Sequence, residues 1–180
     1  MDKNLATLIL LPLILSQLSF MCKKYYNLFF FIQLLIAVLC LEQTINIPIS
    51  DKIYHVNIGI FDMKFMCDIY SYFFGILISI VLILTIFYSF AYFKHPHYYE
   101  NKNRFFFNIF LAILFGYANC YSANLETLFL FYFLMIIYTA PILILKINRS
   151  TLKAHKIYLI THIFGSLALF LPAKIGRAHV

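Results

Sequence analysis

The stretch IYSYFFGILISIVLILTIFYSFAY, Ile69–Tyr92, carries no charged residue along its whole length. A helix needs about 20 mostly apolar residues to cross the hydrocarbon core of a bilayer, and this run supplies them without interruption. Outward from it, similar stretches occur at Leu5–Met21, Tyr26–Leu41, Phe105–Tyr121, Leu125–Leu145 and Tyr158–Leu171, the second and last being short for a full crossing. The expected fold is an all-α membrane protein of about six transmembrane helices in one domain, with no internal repeat or linker. Between the second and third stretches, Glu42 to Asp68 alternates isoleucine with polar residues. That period suits a short β-hairpin, the only non-helical structure the sequence suggests.

Composition excludes a soluble globule and a disordered chain. Hydrophobic residues make up 63% of the chain and charged ones 12%, against roughly 45–50% and about 25% in soluble domains. So few charges could not coat a soluble sphere, and a chain this apolar is not intrinsically disordered. Lysine and arginine outnumber aspartate and glutamate 14 to 7. They fall between the apolar runs, where they read as topology signals rather than as a nucleic-acid surface. With the N-terminus outside, Lys23, Lys24, Lys94, Lys102, Arg104, Lys146, Arg149, Lys153 and Lys156 lie in inner loops, against Lys3, Lys52, Lys64, Lys174 and Arg177 outside. The cysteines Cys22, Cys40, Cys67 and Cys120 form no CxxC pair, so no metal site or redox framework is expected.

Catalytic signatures are missing: the chain has no glycine-rich nucleotide fingerprint, no GKS or GKT, no HExxH and no nucleophile elbow. No cofactor is therefore expected in this chain. Ionisable groups inside apolar runs are costly and seldom idle, and there are few. Glu126 follows Asn124 at the start of the fifth run. It reads either as a first-turn acid favoured by the helix dipole or as a proton-exchanging carboxylate. His162 lies within the sixth run, either satisfied by a neighbouring carbonyl or hydroxyl or acting as a proton relay. His155 and Lys156 stand at the inner mouth of that run, where snorkelling to the interface is the default. Pro141 breaks a backbone hydrogen bond in the fifth run, beside Thr139; it marks a kink, a helix end, or a broken helix lining an aqueous path. His95 and His97 flank Pro96 without further metal ligands nearby.

The order of segments from Gly59 onward carries a family resemblance. Gly59-Ile-Phe-Asp-Met-Lys-Phe-Met-Cys-Asp68-Ile-Tyr-Ser71-Tyr-Phe-Phe resembles the start of the third helix in antiporter-like proton-translocating subunits. Tyr88-Ser-Phe-Ala-Tyr-Phe followed by Asn103-Arg104-Phe105-Phe106 is similar to their next helix junction. Ser122-Ala-Asn124-Leu-Glu-Thr-Leu-Phe-Leu-Phe-Tyr132-Phe133, with Tyr138-Thr-Ala-Pro141, resembles their fifth helix. The family comprises the large membrane subunits of respiratory complex I and the Mrp-type cation/proton antiporter subunits, and it shares the N-outside topology.

The resemblance implies a proton- or sodium/proton-translocating membrane subunit of a multisubunit complex. It would lie in a bacterial plasma membrane or a mitochondrial inner membrane, with other membrane subunits as partners and any NADH oxidation on those partners. It also implies structural roles for Asp68, Ser71, Arg104 and Asn124, and proton-path candidates Glu126, His162 and Lys156. One departure matters: the family's fifth-helix glutamate falls on Phe133, which cannot pass a proton, while Glu126 lies seven residues earlier. A non-transporting structural or assembly subunit is therefore the alternative. Family members are more than twice as long, with partner lysines beyond the sixth helix. Ile175–Val180 reads as a translated sequencing adapter, so residues 1–174 are expected to be the N-terminal part of a longer protein.

Overall fold

A computed structural model describes residues 3–18, 26–58, 61–93, 102–144 and 148–177. Lys23, Lys24, Lys94, Lys146, Cys22, the His95–His97 pair, Gly59 and the last three residues lie outside the described residues. The order of elements is α1 (Lys3–Leu18), α2 (Tyr26–Ile45), β1 (Ser50–Ile58), β2 (Phe61–Cys67), α3 (Ile69–Tyr92), α4 (Lys102–Cys120), α5 (Leu125–Thr139), a 3₁₀ segment (Ala140–Ile144) and α6 (Arg149–Arg177). The chain is mostly helical. Among the described residues three helical segments are long and apolar enough to cross a membrane: α2, α3, and α5 with its 3₁₀ extension.

α3 has the bounds its apolar run predicts, because Asp68 caps it: the Asp68 carboxylate accepts the Ser71 N–H at 2.7 Å. α2 runs four residues past its expected end, which brings Thr44 into the helix. α6 starts nine residues before its apolar run, where Asn148 accepts the Thr151 N–H at 2.7 Å and Thr151 Oγ1 accepts the Asn148 N–H at 3.0 Å. This reciprocal cap satisfies two backbone donors and fixes Arg149 as the first helical residue. α5 ends at Thr139, and the chain tightens into 3₁₀ geometry around Pro141. Proline offers no N–H to continue the α-helical ladder.

α4 is the central helix. It packs against α1, α3 and α5 and buries Phe106, Phe110, Leu114, Tyr117 and Ala118. α3 buries Ser71, Gly75, Ser79, Leu82, Ile86 and Ser89 at spacings of three or four, while Phe73, Leu84 and Phe87 face outward. Four of these six buried residues are small or polar while large apolar ones face outward, the reverse of a water-soluble amphipathic helix, and this suits lipid. The expected hairpin forms: β1 and β2 pair antiparallel with Tyr54 opposite Phe65 and Ile58 opposite Phe61. A register irregularity separates Ser50 from Tyr54.

The hairpin anchors the α4–α5 connection. Phe65 and Ser122 form an antiparallel bridge, Met66 N–H donates to the Tyr121 carbonyl at 2.9 Å, and Ala123 N–H donates to the Lys64 carbonyl at 2.7 Å. Ser122–Asn124 thus lies against β2 in the manner of a short third strand. The ends of α2 and α4 and the starts of α3 and α5 meet at this one end of the bundle.

Candidate functional site

A line of polar side-chain contacts lies between α5 and α6. On α6, Thr151, His155, Tyr158, His162 and Ser166 recur every three or four residues and are all at least partly buried, with Leu159 and Ile163 beside them. On α5 the facing positions include Tyr132, Thr139 and Ala140, the residue that caps its end. Tyr132 Oη meets His162 Nδ1 at 2.9 Å, Thr139 Oγ1 meets Tyr158 Oη at 2.6 Å, and His155 Nδ1 lies 2.9 Å from the Ala140 carbonyl. The tyrosine and histidine rings at 158 and 162 pack with centroids 4.3 Å apart. The three contacts run antiparallel, with residue numbers falling on α6 as they rise on α5.

Donor and acceptor roles follow from the partners. A carbonyl can only accept, so His155 donates from Nδ1; in its neutral form Nε2 then keeps the lone pair. Thr139 Oγ1 lies 2.9 Å from the Met135 carbonyl and 3.1 Å from the Ile136 carbonyl. Its single proton is taken up by those carbonyls, so Tyr158 donates to Thr139. The Thr139 hydroxyl thereby serves the carbonyls at 135 and 136. Pro141's missing N–H is the α-helical partner of a different carbonyl, that of Ile137.

Glu126 and Lys156 stay out of this seam. Glu126 is exposed in the first turn of α5. Asn124 caps that turn by accepting the Thr127 N–H at 3.1 Å, and its amide donates to the Asp62 carbonyl at 3.1 Å. Seven residues return a helix to within about 20° of the same face, so Glu126 shares a face with Phe133, which stacks on Phe129 at 6.3 Å. Tyr132, the residue that reaches His162, is about 100° round the helix from Phe133. Lys156 is exposed on α6, two residues before the apolar run.

The motif residues act as joints. Asp68 caps α3, and the Ser71 amide and hydroxyl beside it hold its carboxyl below the usual carboxylate range. Ser71 Oγ donates back to the Asp68 carbonyl at 3.0 Å. Arg104 is exposed in the first turn of α4, and its carbonyl accepts from the Asn108 amide at 2.7 Å.

Two features go beyond what the sequence suggests. Thr44, Ser79 and Tyr117 form a buried hydroxyl cluster: Thr44 Oγ1 to Ser79 Oγ is 3.2 Å and Ser79 Oγ to Tyr117 Oη is 2.7 Å. Its trace in the sequence is the Ser71, Gly75, Ser79 spacing of four on α3. Lys102, expected as an inner-loop cation, is buried at the start of α4 with its ammonium 3.9 Å from the Tyr26 ring centre. The aromatic face replaces part of the lost hydration. Among the described residues no group of three or more His, Cys, Asp or Glu side chains is placed to hold a metal ion.

Compared with known proteins, the chain matches no family model and no curated sequence.

Proposed function

We propose that the chain is an antiporter-like, proton- or sodium/proton-translocating membrane subunit of a multisubunit complex, either complex I-like or Mrp-type. In this reading six helices cross a bacterial plasma membrane or mitochondrial inner membrane with the N-terminus outside. Other membrane subunits are its partners, and redox chemistry belongs to them. The observation that carries the reading is the α5/α6 seam. Two tyrosines, two histidines and a threonine are aligned along it.

An imidazole can bind a proton at either ring nitrogen, and a tyrosine hydroxyl both donates and accepts. His155 Nε2 is available to a proton from the lysine-rich end, and His162 exchanges one with Tyr132 toward the Asn124 end. The 3₁₀ segment Ala140–Ile144 adjoins His155, which takes the Ala140 carbonyl; such irregular backbone is tolerated at membrane depth only where protein or water satisfies it.

A specific observation favours the second reading, a subunit that keeps the scaffold without transport. Phe133 stands where the resembled family has glutamate, and Glu126 lies on that face and not on the His162 face. Proteoliposomes holding the full chain and an internal pH-sensitive dye separate the two. Transport predicts proton flux above that of empty liposomes, abolished by His162→Phe and reduced by Tyr132→Phe. Flux equal to empty liposomes leaves the scaffold reading.

A further inference from the structure

Opposite the polar stripe, α6 carries a second stripe in which cations give way to apolar residues. Arg149, Lys153 and Lys156 are exposed on it, followed by Ile160 (56% exposed), Phe164 (68%), Leu167 (38%) and Leu171 (53%). The spacing is three or four residues throughout, so the stripe is one continuous helix face. α6 packs on α5 and the 3₁₀ segment with its other side. The Asn148–Thr151 cap makes this face possible: with the helix starting at the apolar run, the three cations would not share a side.

The charge is one-sided. No aspartate or glutamate occurs after Glu126 in the sequence, and Glu126 sits at the far end of the antiparallel α5–α6 pair. Among the described residues the ion pairs are those of Asp62 with His55 and Lys64, on the hairpin. Three exposed cations within about 10 Å of helix therefore stand together with no anion of the described residues beside them. The apolar part, Ile160 to Leu171, is about 16 Å long, close to half of the roughly 30 Å hydrocarbon core.

We propose that this face binds an anionic phospholipid. Its phosphate headgroup sits among Arg149, Lys153 and Lys156, and its acyl chains lie along Ile160, Phe164, Leu167 and Leu171. The basic head and the apolar track match the two halves of one lipid molecule of one leaflet. A partner helix would bury the apolar track but leave the three cations without counter-charge. The proposal requires a membrane and is independent of whether the seam on the other side of α6 conducts protons.

The test uses the full chain in phosphatidylcholine bilayers with trace spin-labelled lipid, reading the motionally restricted fraction by electron paramagnetic resonance. Spin-labelled phosphatidylglycerol should be enriched over spin-labelled phosphatidylcholine by about fivefold or more, the size of one cation–anionic-lipid contact. In the triple variant Arg149→Gln, Lys153→Gln, Lys156→Gln the ratio should fall toward one, while Lys64→Gln on the hairpin leaves it unchanged. Arg149, Lys153 and Lys156 are exposed, so the triple variant removes their charge without touching the buried packing, and its ratio assigns the enrichment to this face. Equal association of the two lipids with the wild-type chain, or an unchanged ratio in the triple variant, overturns the proposal. So does displacement of the lipid by inorganic phosphate beyond a chloride control of equal ionic strength, which would mark a bare anion site.

Discussion

The phenol oxygen of Tyr121 occupies the space that a β-carbon on Gly75 would fill. Tyr121 is fully buried, and its hydroxyl has no hydrogen-bond partner among the described residues. The close approach of α3 to the end of α4 therefore depends on glycine. Gly75→Ala should lower stability by about 1–3 kcal/mol, the usual cost of overpacking a filled interior. Tyr121→Phe removes the colliding atom and an unsatisfied buried hydroxyl, so alone it should be neutral or slightly stabilising. The double variant should recover part of the loss, because Thr44 Cγ2 and Tyr121 Cζ still lie 3.0 and 3.1 Å from that β-carbon. Thermal unfolding in detergent micelles reads all three, and additive effects would show that the two residues do not share this space.

Asp68 gives stability a defined acid dependence. Its folded-state carboxyl is held below the ordinary range by the Ser71 amide, so its contribution is present above about pH 4. It is lost as pH falls through the lowered folded value. Asp68→Ala should cost about 0.5–2 kcal/mol near neutral pH, as for other N-cap losses. Asp68→Asn keeps an acceptor for the Ser71 N–H and cannot titrate. It should retain most of the neutral-pH stability and flatten the fall below about pH 4. Unfolding midpoints across acid pH measure the slope; an unchanged slope in the Asn variant would assign the acid sensitivity to another group.

Legibility in the sequence differs by element. α3 is readable to the residue because an uninterrupted apolar run and an Asp68-x-x-Ser71 cap coincide. The hairpin follows from alternation between Glu42 and Asp68. The start of α6 escapes a hydropathy reading, which marks where apolar residues begin, while the Asn148–Thr151 cap decides where the helix begins. That shift hides the polar stripe, whose period is plain once Thr151 and His155 are counted as helical. The Ser122–Asn124 bridge to Phe65 joins segments far apart in the chain. So short a stretch of backbone pairing leaves no periodic trace in a sequence, and only the fold reveals it. Glu126 and His162 are both candidates as isolated ionisable residues; the face each occupies on its helix is what separates them.

Asn124 does two jobs that substitution can separate. Its side-chain oxygen caps α5 at Thr127, and its amide holds the Asp62 carbonyl. Asn124→Asp preserves the cap and loses the amide donor; Asn124→Ala loses both. The alanine variant should cost about 1 kcal/mol from the cap alone. In both variants the Lys64 and Met66 amides, bonded to Thr127 Oγ1 and the Tyr121 carbonyl, should exchange hydrogen faster. Exchange accelerated only in the alanine variant would mean that the cap, and not the Asp62 contact, holds the hairpin to α5.

The Thr139–Tyr158 contact predicts an asymmetry between its two partners. Thr139 gives its proton to the backbone carbonyls at 135 and 136, so Tyr158 must be the donor across the 2.6 Å gap. Tyr158→Phe removes that donor but leaves the threonine oxygen with its backbone bond, so the loss should be near 1 kcal/mol, roughly that of one ordinary hydrogen bond. Thr139→Val keeps shape but strips the tyrosine hydroxyl of its acceptor inside the helix pair. The expected loss is larger, about 1–3 kcal/mol, because a partly buried donor left unsatisfied costs more than an absent one. The double variant should then lie close to Thr139→Val alone or above it in stability, not at the sum of the two. A double-mutant cycle on unfolding in micelles measures the coupling. Equal single losses that add would mean that the threonine proton points at Tyr158, reversing the direction assigned to this step of the seam.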